Sequence, residues 1–166
     1  MTGNSTLYDD DILLWSEQQA AAIRKLQETA RGIPNELDIE NVAEEIESVG
    51  RSELAAVESN LQLIFVHLIK LIAEPQGYPQ RHWRSEIFAF HFRANRRYSP
   101  SMRQRINIDE VWRSAREQVS LAHEGEAQRR IMSLSERSPI SVDELLAEKI
   151  DSEALLARLQ TSTDAD

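Results

Sequence analysis

One stretch limits the folds open to this chain more than any other. Leu54, Val57, Leu61, Ile64, Leu68 and Leu71 recur three and four residues apart, the spacing that lines side chains along one face of an α-helix. Leu63, Phe65, Ile69 and Ile72 widen that seam until little of the circumference stays polar. A helix apolar nearly all round has to be surrounded by others, so it belongs in the middle of a bundle. Its longest apolar run, Leu61 to Ala73, is interrupted by Gln62, His67 and Lys70 and falls short of the ~18 residues of a membrane span, so no membrane role is expected.

Upstream, Asp38 to Val49 places Ile39, Val42, Ile46 and Val49 on one stripe and leaves the other faces mostly acidic. Gly50 can take the positive φ that ends a helix and Ser52 can cap the next one, so the sequence predicts two helices joined at a hinge. A first helix is expected from near Thr6 or Asp9, with Asp9, Asp10 and Asp11 at its dipole-favoured start and Gly32 and Pro34 at its stop. Pro75, Gln76, Gly77, Tyr78 and Pro79 make a stiff turn.

The next helix, Gln80 to Tyr98, has two apolar faces. Trp83, Ile87, Phe90 and Ala94 share one, whereas Phe92 points nearly opposite, with Phe88, Arg81 and Arg96 beside it. Such a helix is either sandwiched or presents one face to a partner. Ser99, Pro100 and Ser101 with Gln104, and then Asn107 with Glu110, match capping patterns. Ile108, Val111, Trp112, Ala115, Val119 and Ala122 form the stripe of a helix ending near Gly125. Beyond it, Arg129 to Ser135 reads as a short helix, and Ser141 with Glu144 is a further capping box. Leu145, Leu146, Ile150, Leu155, Leu156 and Leu159 then suggest one or two short amphipathic helices.

No stretch shows the alternation of a β-strand. The expected fold is therefore all-α: a helical bundle of about five core helices over residues 1–125, and a C-terminal helical arm with a frayed tail over 126–166. The arm, Ser138 to Gln160, could pack on its own bundle or exchange between protomers.

The net charge of −9 is unevenly spread. Residues 1–60 carry 13 acidic and 4 basic side chains, whereas residues 81–105 carry seven arginines against Glu86 alone. Acidic and basic segments in one chain attract each other, or mark an interaction surface. Cysteine is absent, which removes disulfides and thiolate chemistry, and the N-terminus lacks the basic-then-apolar order of a signal peptide. A cytoplasmic location is expected. The glycines all read as helix punctuation rather than a phosphate loop, so no cofactor is implied.

Two constellations could carry function, the second in two ways. Glu40, Glu44, Glu47 and Arg51 share a helical face, and three carboxylates with His67 could hold a divalent metal; but the Glu-x-x-His repeat of carboxylate bundles is missing. The plainer reading pairs those glutamates with Arg51 and with arginines of the fourth helix, and makes His67 a hydrogen-bonded core residue. His82, His91 and His123 read as surface residues. Arg81, Arg84, Arg93, Arg96, Arg97, Arg103 and Arg105, interleaved with Trp83, Phe88, Phe92 and Tyr98, suggest nucleic-acid binding, which the acidic net charge opposes. The same segment read as a protein-binding face uses Arg81, Phe88, Phe92, Arg96 and Arg97.

Several of these residues resemble a bacterial family, the domain of unknown function 29 family. The resemblance rests on Leu7 and Tyr8 with Trp15, on the block Asp38 to Glu53 that contains Glu44, Glu45, Glu47, Gly50 and Arg51, and on His67 to Lys70. Trp83 with Arg84, Ser99 to Ser101, and Ala115 with Arg116 extend it over residues 7 to 125. It departs at the turn Pro75 to Pro79, where family members carry more arginine. The resemblance implies an all-helical bundle and no established activity. Together the readings favour a non-catalytic module that binds protein, either itself as a dimer or oligomer or an unidentified partner. Nucleic-acid binding ranks second, and a metal-dependent activity of Glu44, Glu47 and His67 third.

Overall fold

A computed structural model of the chain describes residues 3–77 and 79–162. Tyr78, in the expected proline-rich turn, and the end of the tail lie outside the described residues. Those described form α1 (Gly3–Asp10), α2 (Ile12–Thr29), α3 (Ile39–Ala73), α4 (Gln80–Arg97), a 3-10 turn (Pro100–Gln104), α5 (Ile108–Leu121), α6 (Gly125–Met132), α7 (Val142–Leu145) and α8 (Ser152–Thr161). No strand occurs among them. The protein is all-α.

The chain divides into two compact units, Met1–Ala56 with Arg97–Arg105 and Val57–Arg96 with Ile106–Asp166. This division does not follow the boundary expected at residue 125, because α6, α7 and α8 belong to the second unit. α3 contributes to both units.

In the first unit, α2 and the early part of α3 make an antiparallel helical hairpin. Ser16, Ala20, Ala43 and Gly50 are buried along it, and small residues let two helix backbones come close. A Cβ on Gly50 would lie 2.2 Å from Ser16 Oγ and 3.0 Å from Leu13 Cα. Gly50 is therefore present for close approach. The hinge expected there does not exist: α3 is one 35-residue helix, and Gly50 has no positive φ.

The first helix is also corrected. It breaks in two at Asp11, whose carboxylate accepts from the Leu14 N–H at 3.1 Å and caps α2. The same carboxylate accepts from the Ser101 N–H at 2.9 Å and the Ser101 hydroxyl at 2.6 Å. Ser101 is thereby taken from the capping box expected with Gln104. Burial alone would raise the Asp11 carboxyl, but the Ser101 and Leu14 hydrogen bonds outweigh it and hold the group below its ordinary value.

The second unit holds the large apolar side chains. Leu61, Ile64, Phe65, Leu68 and Ile69 of α3 are fully buried, together with Ile87 of α4 and Trp112 of α5. The Phe65 and Trp112 rings meet edge to face at 5.1 Å. α3 is long and apolar enough to cross a membrane by length and composition, and half of that stretch is already buried inside the protein.

The C-terminal arm packs within this unit. Ile131, Ile140, Leu145 and Leu159 are buried, the Trp112 indole N–H donates to the Ser135 carbonyl at 2.9 Å, and the Ser138 N–H donates to Asp109 at 2.9 Å. The capping box of Ser141 and Glu144 forms, and its Ser141 hydrogen bonds lower the Glu144 carboxyl. The Asn107 cap of α5 forms as well. The short helix expected at Arg129–Ser135 starts earlier, at Gly125, whose φ of 62° suits glycine.

Candidate functional site

α4 resolves its two apolar faces into one inside and one outside. Ile87, Phe90 and Ala94 are buried in the second unit, whereas Phe88 and Phe92, one turn apart, are 65% and 55% exposed. Arg81, Ser85 and Arg96 extend the outward stripe in both directions. The Arg96 guanidinium lies 5.7 Å from the Phe92 ring centroid, a cation–π arrangement that holds the arginine along the stripe.

Beside the two phenylalanines opens a cavity of about 440 Å³, walled also by His91, Asn95, Glu148, Lys149 and Ile150. His91 is buried, contrary to its expected place on the surface: its Nε2 donates to the Ala147 carbonyl at 2.8 Å. That bond ties the loop after α7 to α4 and so shapes one wall. His123 is also drawn in, with its ring nitrogens 2.8 Å from the Val119 carbonyl and from Glu74.

The arginine segment is not uniformly free. Arg84 pairs with Glu153 at 2.8 Å, Arg97 with Glu53 at 2.9 Å and Arg105 with Glu17 at 2.9 Å. Arg81, Arg93 and Arg96 have no carboxylate partner among the described residues, and all three belong to α4.

The acidic face of α3 is occupied by cations. Arg24 of α2 reaches Glu40 at 2.9 Å, Glu47 at 3.0 Å and Glu44 at 3.6 Å. Arg51 pairs with Glu44 at 2.5 Å and approaches Glu47 at 3.8 Å. Glu40 and Glu47, by hydrogen bonding, raise Arg24 further above its already high value. Arg24 thus takes the role expected of the fourth-helix arginines. Glu45 points elsewhere and stays exposed. No group of three or more His, Asp or Glu side chains among the described residues is arranged to hold a metal ion. His67 does not join these carboxylates: burial lowers its pKa, its Nδ1 donates to the Leu63 carbonyl at 2.8 Å, and its ring packs 5.3 Å from Phe90.

The chain matches the family described as "Domain of unknown function DUF29" over residues 7–150. It belongs to that family. A crystal structure of an α-helical protein of unknown function from Rhodospirillum rubrum is similar to it, with 34% sequence identity and a TM-score of 0.80 over 92% of this chain and 96% of that one. No curated protein matches the chain. The family match runs past the expected limit at residue 125, into the packed arm.

In this DUF29 chain the residues that carried the resemblance have structural tasks. Gly50 admits α2; Glu44, Glu47 and Arg51 make the charge ladder on Arg24; Arg84 fixes α8 through Glu153; and Trp83 lies under the Lys70 ammonium at 6.0 Å. Glu45, like Asp38, faces solvent without a cation partner among the described residues. The wall of the cavity at Lys149 and Ile150 was missed from sequence. Only the apolar Ile150 hinted at it.

Proposed function

We propose that this protein is a non-catalytic, cytoplasmic protein-interaction module whose docking surface is the outward stripe of α4. The observation that carries this reading is the pair Phe88 and Phe92, exposed side by side against a cavity and flanked by Arg81 and Arg96. Exposed aromatic pairs rimmed by polar groups are rare on surfaces that meet only water. Phe and Arg are also enriched at the centres of protein interfaces. Nucleic-acid binding is favoured by one feature, the unpaired arginines beside aromatic rings. It is weakened by the internal pairing of Arg84, Arg97 and Arg105 and by the net charge of −9.

The test is photo-crosslinking in the native host, with benzoylphenylalanine at Phe92 and, as control, at the exposed Gln128. A polypeptide adduct at Phe92 and none at Gln128 is expected. No polypeptide adduct at Phe92, or adducts only with nucleic acid, would overturn the reading. Where an adduct forms, Phe88→Ala in the same chain should reduce its yield by about tenfold while leaving helicity intact.

A further inference from the structure

A second unpartnered stripe lies on the first unit. Along α3 and the residue just before it, Asp38, Val42, Glu45, Val49 and Ser52 recur at helical spacing and are all exposed. Val42 and Val49 are among the exposed large apolar residues of the chain. This stripe differs from the face that Arg24 clamps, since neither Val42 nor Glu45 takes part in that ladder. It is apolar at two positions and negative at two. The α4 stripe is apolar at Phe88 and Phe92 and positive at Arg81 and Arg96. The two are complementary in both respects.

We infer that the partner of the α4 stripe is a second copy of this chain, which presents the stripe Asp38, Val42, Glu45 and Val49. This rests on the reading of α4 as a docking surface and gives it an occupant. Charge decides between the ways two copies can meet. Placing α4 against α4 would oppose Arg81, Arg93 and Arg96 to the same arginines, a charge that Glu86 of α4 and Glu148 on the cavity wall offset only in part, so like-charge repulsion disfavours it. Placing α4 against the acidic stripe sets arginines toward Asp38 and Glu45, while the phenylalanines meet the exposed Val42 and Val49. The contact is head-to-tail: one copy offers its aromatic stripe and the other its acidic one, so each copy retains a free stripe of the opposite kind.

This geometry has a signature that a face-to-face dimer lacks. Phe88→Gln with Phe92→Gln destroys one half of the contact, and Val42→Gln with Val49→Gln destroys the other; glutamine keeps helix propensity high at all four exposed sites. Native mass spectrometry and sedimentation equilibrium of the full chain should show wild-type association that rises with protein concentration and weakens with salt. Each double variant alone should remain monomeric, its self-association weakened at least about thirtyfold. An equimolar mixture of the two variants should form a dimer and nothing larger, since each supplies the stripe the other has lost. Circular dichroism confirms that all four proteins keep their helicity.

A valine variant that self-associates like wild type would overturn the inference in favour of face-to-face pairing. Wild type monomeric at every concentration would also overturn it. In that case a Phe92 crosslink to a different polypeptide leaves the docking surface standing, whereas no polypeptide crosslink at all removes both.

Discussion

The two units of this chain are held together by different physics. The first is a hairpin of narrow residues, Ser16 and Ala20 against Ala43 and Gly50, with a charge ladder along its edge and one capping carboxylate, Asp11, tying in the segment after α4. The second is built on volume, with Trp112, Phe65 and many aliphatic side chains buried from α3 to α8. Close approach is intolerant of added atoms, while a bulky core is intolerant of lost ones. Surface charge, however conspicuous in the sequence, matters less to either.

The largest effect is expected where volume is removed. Trp112→Ala deletes a side chain with no solvent exposure and the indole N–H that meets the Ser135 carbonyl. Truncation of a buried tryptophan costs about 3–5 kcal/mol, so the melting temperature should fall steeply. Amide exchange should accelerate through α5 to α8 more than in the α2–α3 hairpin. Equal acceleration in both units would break the comparison.

Asp11→Ala comes next. It removes the cap of α2 and leaves the Ser101 N–H without its acceptor, for a loss of about 2 kcal/mol or more. Because the folded carboxyl is held below its ordinary 3.8, the unfolded chain takes up the proton first. The stabilisation is thus complete above that value and is lost as pH falls through the folded one. Denaturant titrations should show the gap between wild type and Asp11→Ala full at neutral pH and narrowing in acid. A gap that stayed constant below pH 3.8 would mean the charge contributes nothing.

Gly50→Ala sharpens the contrast from the other side. The new methyl meets Ser16 Oγ and the Leu13 backbone, and overpacking of this kind costs about 1–3 kcal/mol. Helix propensity returns about 1 kcal/mol, leaving a moderate net loss. Adding Ser16→Ala removes the nearer clash and should recover part of it. No recovery would place the strain at Leu13 instead.

These positions also show what sequence can and cannot convey. The all-round apolar stretch of α3 identified the bundle's centre, and the opposed faces of α4 foretold which phenylalanines are buried and which exposed. The caps at Asn107 and Ser141 were legible because a cap and its partner sit three residues apart. Gly50 was misread because glycine gives the same local signal for a helix stop and for a close crossing, and only the partner helix distinguishes them. Asp11 was hidden inside a run of aspartates whose helical periodicity continues across the break. The pairing of Arg24 with Glu40 and Glu47 depends on how α2 lies on α3, which no local spacing encodes. The cavity at α4 needed the loop around Lys149, brought in by a hydrogen bond from His91 that sequence does not announce.

The smallest effect is expected at the most conspicuous charges. Arg24→Gln leaves Glu40, Glu44 and Glu47 one turn apart on α3 with only Arg51 to offset the last two. All these side chains are at least partly open to water, where solvent and salt screen both the attraction lost and the repulsion exposed. The melting temperature should drop slightly at low salt, and the difference from wild type should shrink as salt is added. It should stay below the loss caused by Gly50→Ala under every condition. Were Arg24→Gln instead the more damaging change, and indifferent to salt, the hairpin would depend on its ladder rather than on its narrow seam. Glu40, Glu44 and Glu47 would then have to be regarded as part of what brings α2 and α3 together.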